Sequence, residues 1–151
     1  MRSGGELAGT MLLGYSREMI PAFNENGYLP PGVHRATIEE VGTRFGSDSE
    51  LRKVQIESLK WLLDLAIRAG ISRVVVNGSF TTDISEPNDV DCALLMGVDF
   101  PRDKVAEAEL LAGLPFLEIN LLDQTDFDLL VKQFFATDRK ANPKGMVEII
   151  L

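Results

Sequence analysis

Residues 71–96 read ISRVVVNGSFTTDISEPNDVDCALLM. Ile71–Asn77 is a β-branched run of the length of one buried strand, and it follows a long amphipathic helical pattern closed by Gly70. Gly78-Ser79 ends that strand. Nine residues rich in Thr, Ser, Asp, Glu, Pro and Asn separate the turn from DVDCALLM, which alternates as a second strand. Strand side chains alternate faces, so Asp89 and Asp91 are expected to point the same way, about 7 Å apart along the strand, with Val90, Cys92 and Leu94 pointing the other way. Two like charges on one face favour a cation or a proton between them, and hard oxygen ligands of this kind suit Mg²⁺ or Mn²⁺. Glycine at 78 lets the backbone approach a ligand closely. The N–H groups of Gly78 and Ser79 and the Ser79 hydroxyl can then point at phosphate oxygens. Gly-Ser turns and paired strand aspartates each occur in ordinary surface loops. Their combination behind a buried strand favours a nucleotide or metal site over a solvated loop.

Gly-Ser followed, after a short loop, by Asp-x-Asp on a strand resembles the signature of the DNA polymerase beta-like nucleotidyltransferase superfamily. IPAFNENGYLPPGVHRATIEEVGTRFG near the start, GSFTTDISEPNDVD in the middle and FFATDRKANPKGMVEIIL at the end resemble a family of small bacterial nucleotidyltransferase-like proteins, a likeness that runs from about Met19 onward. The resemblance implies an α+β nucleotidyltransferase fold, a mixed sheet of about four to five strands flanked by helices. It also implies that Ser79 binds a triphosphate, that Asp89 and Asp91 bind Mg²⁺, and that a nucleotidyl group passes from an NTP to a hydroxyl of a protein, an RNA or a small molecule. The superfamily includes antitoxins that nucleotidylate a partner toxin, so a toxin–antitoxin role is one implied setting. Members usually carry an Arg shortly after Gly-Ser. This chain has Phe80, Thr81 and Thr82 there.

A third carboxylate is expected on a neighbouring strand. In FLEINLLD, residues 116–123, Glu118 and Asn120 share one face. Glu118 in that place could act as metal ligand or as the base that takes the acceptor's proton. Asn120 in that place would remove the base, leaving the alternative reading: a catalytically inactive interaction module with the same fold, antitoxin-like or regulatory. Asp123 has the opposite parity and is expected to cap the next turn.

The chain is 151 residues long with a formal net charge of −8, 45% hydrophobic and 25% charged, which is one ordinary globular domain. We expect a leader over 1–18 and a single domain over 19–151. Excess acid disfavours a grip on long duplex DNA, whose binding rests mainly on Lys and Arg. The single cysteine, Cys92, excludes an internal disulfide and reads as a small core residue. The single histidine, His34, excludes multi-His metal sites and reads as a packing or surface residue. The opening apolar patch, Leu7 to Leu13, is too short to span a bilayer. A cytoplasmic protein with no membrane partner is expected.

Outward from the central stretch, residues 20–36 read as a turn-rich arm anchored by Ile20, Phe23, Tyr28, Leu29 and Val33, with Asn26-Gly27 and Pro30-Pro31-Gly32 as turns. Thr37-Ile-Glu-Glu40 is a capping box for a short helix ending at Gly46. A longer helix follows from Ser47-Asp-Ser-Glu50, with a core stripe of Leu51, Val54, Leu59, Leu62, Leu65, Ala66 and Ala69. Trp61 and Ile56 fall off its centre and are expected to widen its buried face, with a partner surface as the alternative. Asp99 to Ala112 reads as a helix and Thr125 opens another, carrying Leu129, Leu130, Val131, Phe134 and Phe135. MVEIIL reads as a terminal strand, with Glu148 exposed or near the site. Arg139, Lys140 and Lys144 form the one dense basic cluster, read either as a solvated loop or as the contact for a triphosphate.

Overall fold

The computed structural model describes residues 20–151. The expected leader lies outside them. Among the described residues, five strands make one mixed sheet: β1 (Gly32–Ala36), β2 (Ile71–Asn77), β3 (Val90–Met96), β4 (Leu117–Leu122) and β5 (Gly145–Ile149), in the order β1-β5-β2-β3-β4. β2 is antiparallel to both of its neighbours, β3 and β5. The outer pairs, β1 with β5 and β3 with β4, are parallel. The helices are α1 (Ile38–Phe45), α2 (Glu50–Ala69), α3 (Lys104–Ala112) and α4 (Gln124–Leu129), the last running straight into a π-helical turn, Leu130–Phe134. The fold is α+β, with a mixed sheet flanked by helices.

The helix ends follow their sequence signals. Thr37 and Glu40 close a reciprocal capping box on α1. Ser49 caps α2, and Gly70, at φ 92°, ends it in the left-handed conformation that only glycine adopts cheaply. α3 starts later than expected. Asp99–Asp103 is a turn through a cis Phe100-Pro101 bond, and Asp103 accepts from Val105 N and Ala106 N as the N-cap. Asp123, expected to cap a turn, is the N-cap of α4, its side chain accepting from Asp126 N.

The two faces of the sheet carry separate cores. On one, Val74, Val76, Cys92 and Leu94 meet Val41 and Phe45 of α1, Leu59, Leu62 and Ala66 of α2, and Leu110 of α3. On the other, Val75, Ala93, Leu95 and Met146 meet Phe127, Val131 and Phe135 of α4 and its π turn. β2 and β3 therefore have buried side chains on both faces, which is why their sequences are almost continuously apolar. Cys92 is a core residue, and burial pushes its thiol well up.

Three expectations about the scaffold need correction. The arm is half strand: after Pro31, Gly32–Ala36 pairs along β5, a short edge strand that turn residues concealed. Trp61 is 48% exposed and Val54 lies open as well, whereas Ile56 is buried. Arg52 and Gln55 take the inward positions on α2 that the apolar stripe seemed to reserve for Val54. Among the described residues, no helix is long and apolar enough to cross a membrane.

Candidate functional site

The site grows from the register of three strands. Asn77 at the end of β2 is the Cα partner of Asp91 on β3, and Asp91 is the partner of Glu118 on β4, so three polar side chains stand in one row across the sheet. Glu118, not Asn120, takes the place beside Asp91. Asn120 pairs with Ala93 and turns its amide onto the Cys92 carbonyl, 3.2 Å away. The Asp91 carboxyl also rests against the bare Cα of Gly78. A Cβ at 78 would come within 2.7 Å of Asp91 Oδ2, and the Gly78 backbone, at φ 91° and ψ −163°, lies in a region closed to other residues.

The loop after Gly78 is short and heavily braced. Ser79–Thr81 forms a 3₁₀ turn, with Thr82 Oγ1 donating to the Ser79 carbonyl at 2.6 Å. Ser79 Oγ accepts from Asn88 N at 2.7 Å, which leaves its own hydroxyl hydrogen free to turn towards the cleft. Beneath the loop lies Arg52, 2% exposed. Its guanidinium donates to the carbonyls of Phe45 (2.9 Å), Phe80 (2.8 Å), Thr82 (2.8 Å) and Ile84 (3.1 Å), and stacks over the Phe80 ring. Burial lowers its pKa, and Asp48, Asp83 and Glu86 pull it back up. One turn along α2, Gln55 holds the far end of the loop through Asn88 O at 2.9 Å. No Arg follows Gly-Ser here. The arginine that organises the loop comes from α2 instead and reads only backbone carbonyls.

Asn77, Gly78, Ser79, Asp91, Glu118, Arg139 and Lys144 line one cleft of about 610 Å³, closed on another side by Leu130, Phe134 and Phe135. Lys144 is the buried cation of the site, 8% exposed, with Nζ 2.7 Å from Asn77 Oδ1. Desolvation lowers its pKa, and the negative charges of Asp91 and Asp138 oppose that. Of the basic cluster, Lys144 is thus an interior group, Arg139 edges the cleft, and Lys140 lines a neighbouring depression with Asn26, Tyr28 and Asp138. That loop is set by Asp138, whose carboxylate takes bonds from Tyr28 Oη, Lys140 N and Asn142 and is held well below the usual range by them.

Asp89 falls elsewhere than expected. β3 begins at Val90, so Asp89 belongs to the exposed bend before the strand and is not among the residues lining the cleft. Strand alternation does not reach it, although its charge is felt at Asp91. Among the described residues, no three His, Cys, Asp or Glu side chains come together as a metal-holding group. The carboxylates that meet are two, Asp91 and Glu118. His34 is a packing residue, its Nε2 2.7 Å from the Pro30 carbonyl. Glu148 is occupied by Arg73, through contacts of 2.7 and 3.0 Å.

The Asp91 carboxyl is pushed up to about 7, first by burial, then by contact with Glu118 and its charge, with Lys144 pulling the other way. The folded chain therefore holds a proton that the unfolded chain releases near pH 4, and folding loses stability as pH rises from about 4 to 7. A shift of this size corresponds to about 4 kcal/mol at most, and the partial exposure of Asp91 brings the expectation to about 2 kcal/mol. Asp91→Asn should accordingly be more stable than wild type in urea at pH 8 and nearly equal to it at pH 4.5. Equal midpoints at both values would remove the coupling.

A family described as "Family of unknown function (DUF6932)" matches residues 21–150. The chain belongs to this family. The match takes in all five strands and the whole cleft, so the family is defined over the same unit that the structure shows. No curated protein and no solved structure matches the chain.

Sequence reasoning missed Arg52, Gln55 and Asn77. Arg52 and Gln55 left a signal: two long polar residues three apart on the helix face that also carries Leu59 and Leu62, where polar groups are buried only if they have partners to satisfy. Asn77, the last residue of a strand, left none.

Proposed function

We propose that this chain binds a nucleoside triphosphate with a divalent cation and transfers its nucleotidyl group to an acceptor hydroxyl. The observation that carries the reading is Asp91 and Glu118 side by side, with the bare backbone of Gly78 against Asp91. Hard carboxylate oxygens on adjacent strands suit Mg²⁺ or Mn²⁺, and the donor set fits one such ion. Asp91 and Glu118 would hold it, with Asp89 contributing charge from the loop. When bound, the ion would neutralise phosphate charge and polarise the phosphorus.

The chain's own groups do the rest. The Ser79 hydroxyl and the Gly78–Ser79 backbone receive the β and γ phosphates, and Lys144 and Arg139 supply the positive charge that the loop lacks. The acceptor oxygen bonds to the α-phosphorus as the bond to the β-phosphate oxygen breaks and pyrophosphate leaves. The acceptor's proton passes to Glu118. The acceptor is a hydroxyl of a protein, an RNA or a small molecule, and the setting we infer is the cytoplasm, with a toxin–antitoxin pair as one such context. A second reading draws on the position of Asp89. With no three-carboxylate group among the described residues, the same cleft would bind nucleotide without turnover and serve as an interaction module.

Calorimetric titration of ATP, GTP, CTP and UTP with Mg²⁺ tests the reading before any acceptor is known. Wild type should bind at least one of them with an affinity that Asp91→Ala, Glu118→Ala lowers at least tenfold. A folded wild type that binds none would end the reading. Label transfer from a bound nucleotide to a component of a cell lysate separates the enzyme from the module.

A further inference from the structure

The polar floor of the cleft faces an apolar wall, and the wall has an unusual construction. After Leu129 the helix widens into a π turn in which Phe135 N bonds to Leu130 O at 2.9 Å. Such insertions shift the angular positions of the residues that follow and are found at functional sites more often than elsewhere. Here the shift sends Phe135 into the core beneath the sheet and leaves Phe134 on the cleft wall, 65% exposed. A large apolar ring left in solvent beside buried charges forgoes burial that the neighbouring core would supply.

Asn77 ties this wall to the floor. Its Nδ2 donates to the Phe135 carbonyl at 3.1 Å, while its Oδ1 accepts from Lys144 Nζ at 2.7 Å. One buried amide therefore sets the spacing between the wall and the cation. Phe134 lines the same cleft as Lys144 and Ser79, so it bounds the space open to a planar ring attached to phosphates held there.

We propose that Phe134 is the platform on which the base of the nucleotide stacks. The proposal rests on the phosphate-binding reading above and adds to it the ligand's second half. Stacking uses the π face that every base presents, so Phe134 selects for an aromatic ring while tolerating its identity, with purines ahead of pyrimidines because they offer more area.

The test compares Mg²⁺ with ATP against Mg²⁺ with inorganic tripolyphosphate, titrated calorimetrically into wild type, Phe134→Ala and Phe134→Leu. Phe134 is mostly exposed, so both variants should keep the wild-type fold, checked by circular dichroism. ATP should bind wild type more tightly than tripolyphosphate. Phe134→Ala should lose about tenfold in ATP affinity and nothing for tripolyphosphate. Phe134→Leu should fall between. Equal loss for both ligands, or no loss for ATP, overturns the platform. Wild type that binds tripolyphosphate as tightly as ATP overturns the platform and leaves the phosphate site standing. Failure to bind either ligand overturns both.

Discussion

Replacing Arg52 with methionine is expected to cost about 3–5 kcal/mol of folding stability, because several buried carbonyls lose their hydrogen-bond donor at once. The reason lies in the partners. The guanidinium satisfies the carbonyls of Phe45, Phe80, Thr82 and Ile84 from a position that water does not reach. Methionine fills much of the volume and donates to none of them, and each stranded carbonyl costs about 1–3 kcal/mol before the loop relaxes towards solvent. Arg52→Lys should recover only part of the loss, because an ammonium has three donors and no planar fork. Arg68→Ala, which removes exposed pairs to Asp64 and Asp103, should leave the unfolding midpoint nearly unchanged. Urea unfolding measures all three. Proteolysis adds a local readout: cleavage within residues 80–88 should accelerate in Arg52→Met under conditions where the sheet remains folded. An Arg52→Met midpoint within about 1 kcal/mol of wild type would mean that the loop organises itself.

Gly78→Ala is expected to cost about 2–4 kcal/mol and to remove the site together with the stability. Two effects add. The backbone at 78 is closed to residues with a Cβ, worth about 1–3 kcal/mol, and the new methyl would collide with Asp91 Oδ2. Gly113 separates them. It has a similar backbone, φ 89° and ψ 160°, and a methyl there would meet nothing within 4 Å. Gly113→Ala should thus show the strain alone, about 1–2 kcal/mol, and leave the proposed nucleotide binding untouched. The difference between the two variants reads the collision. Equal destabilisation and unchanged Mg²⁺-dependent nucleotide binding in Gly78→Ala would show that the Asp91 carboxyl moves aside at no cost.

Much of the frame was legible because its signals are local. β-branched runs, capping residues and glycine stops marked β2, β3, α1 and the end of α2, each through interactions within a few residues of chain. The pairing of Glu118 with Asp91 was narrowed to two candidates by parity and decided by register, a long-range quantity. What local signals could not carry was which polar residues turn inward. Arg52 sits between Glu50 and Lys53, a pair that bridges in solvent at 2.9 Å, and a charged run of that kind ordinarily reads as an outer face. Lys144, flanked by Pro and Gly, resembles a loop residue until Asn77 meets it across the sheet. Asp89 failed for the opposite reason: alternation was extended one residue beyond the point where the strand begins. The exposure of Trp61 reflects the width of the apolar stripe on α2, which Ile56 and Leu63 already fill.

The edge pairing of β1 with β5 has a consequence for the order of assembly. β1 has its sheet neighbour more than a hundred residues further along the chain, and that neighbour is the last of the described strands to be made. On the ribosome, β2 and β3 can form their hairpin and α2 can dock on it while β1 is still without a partner. The arm that carries Tyr28 to the cleft is pinned by β1, so the cleft gains that wall only in the final step. The chain should therefore show a hairpin-centred intermediate during synthesis, with the cleft completed last, in step with the high contact order of its outer strands.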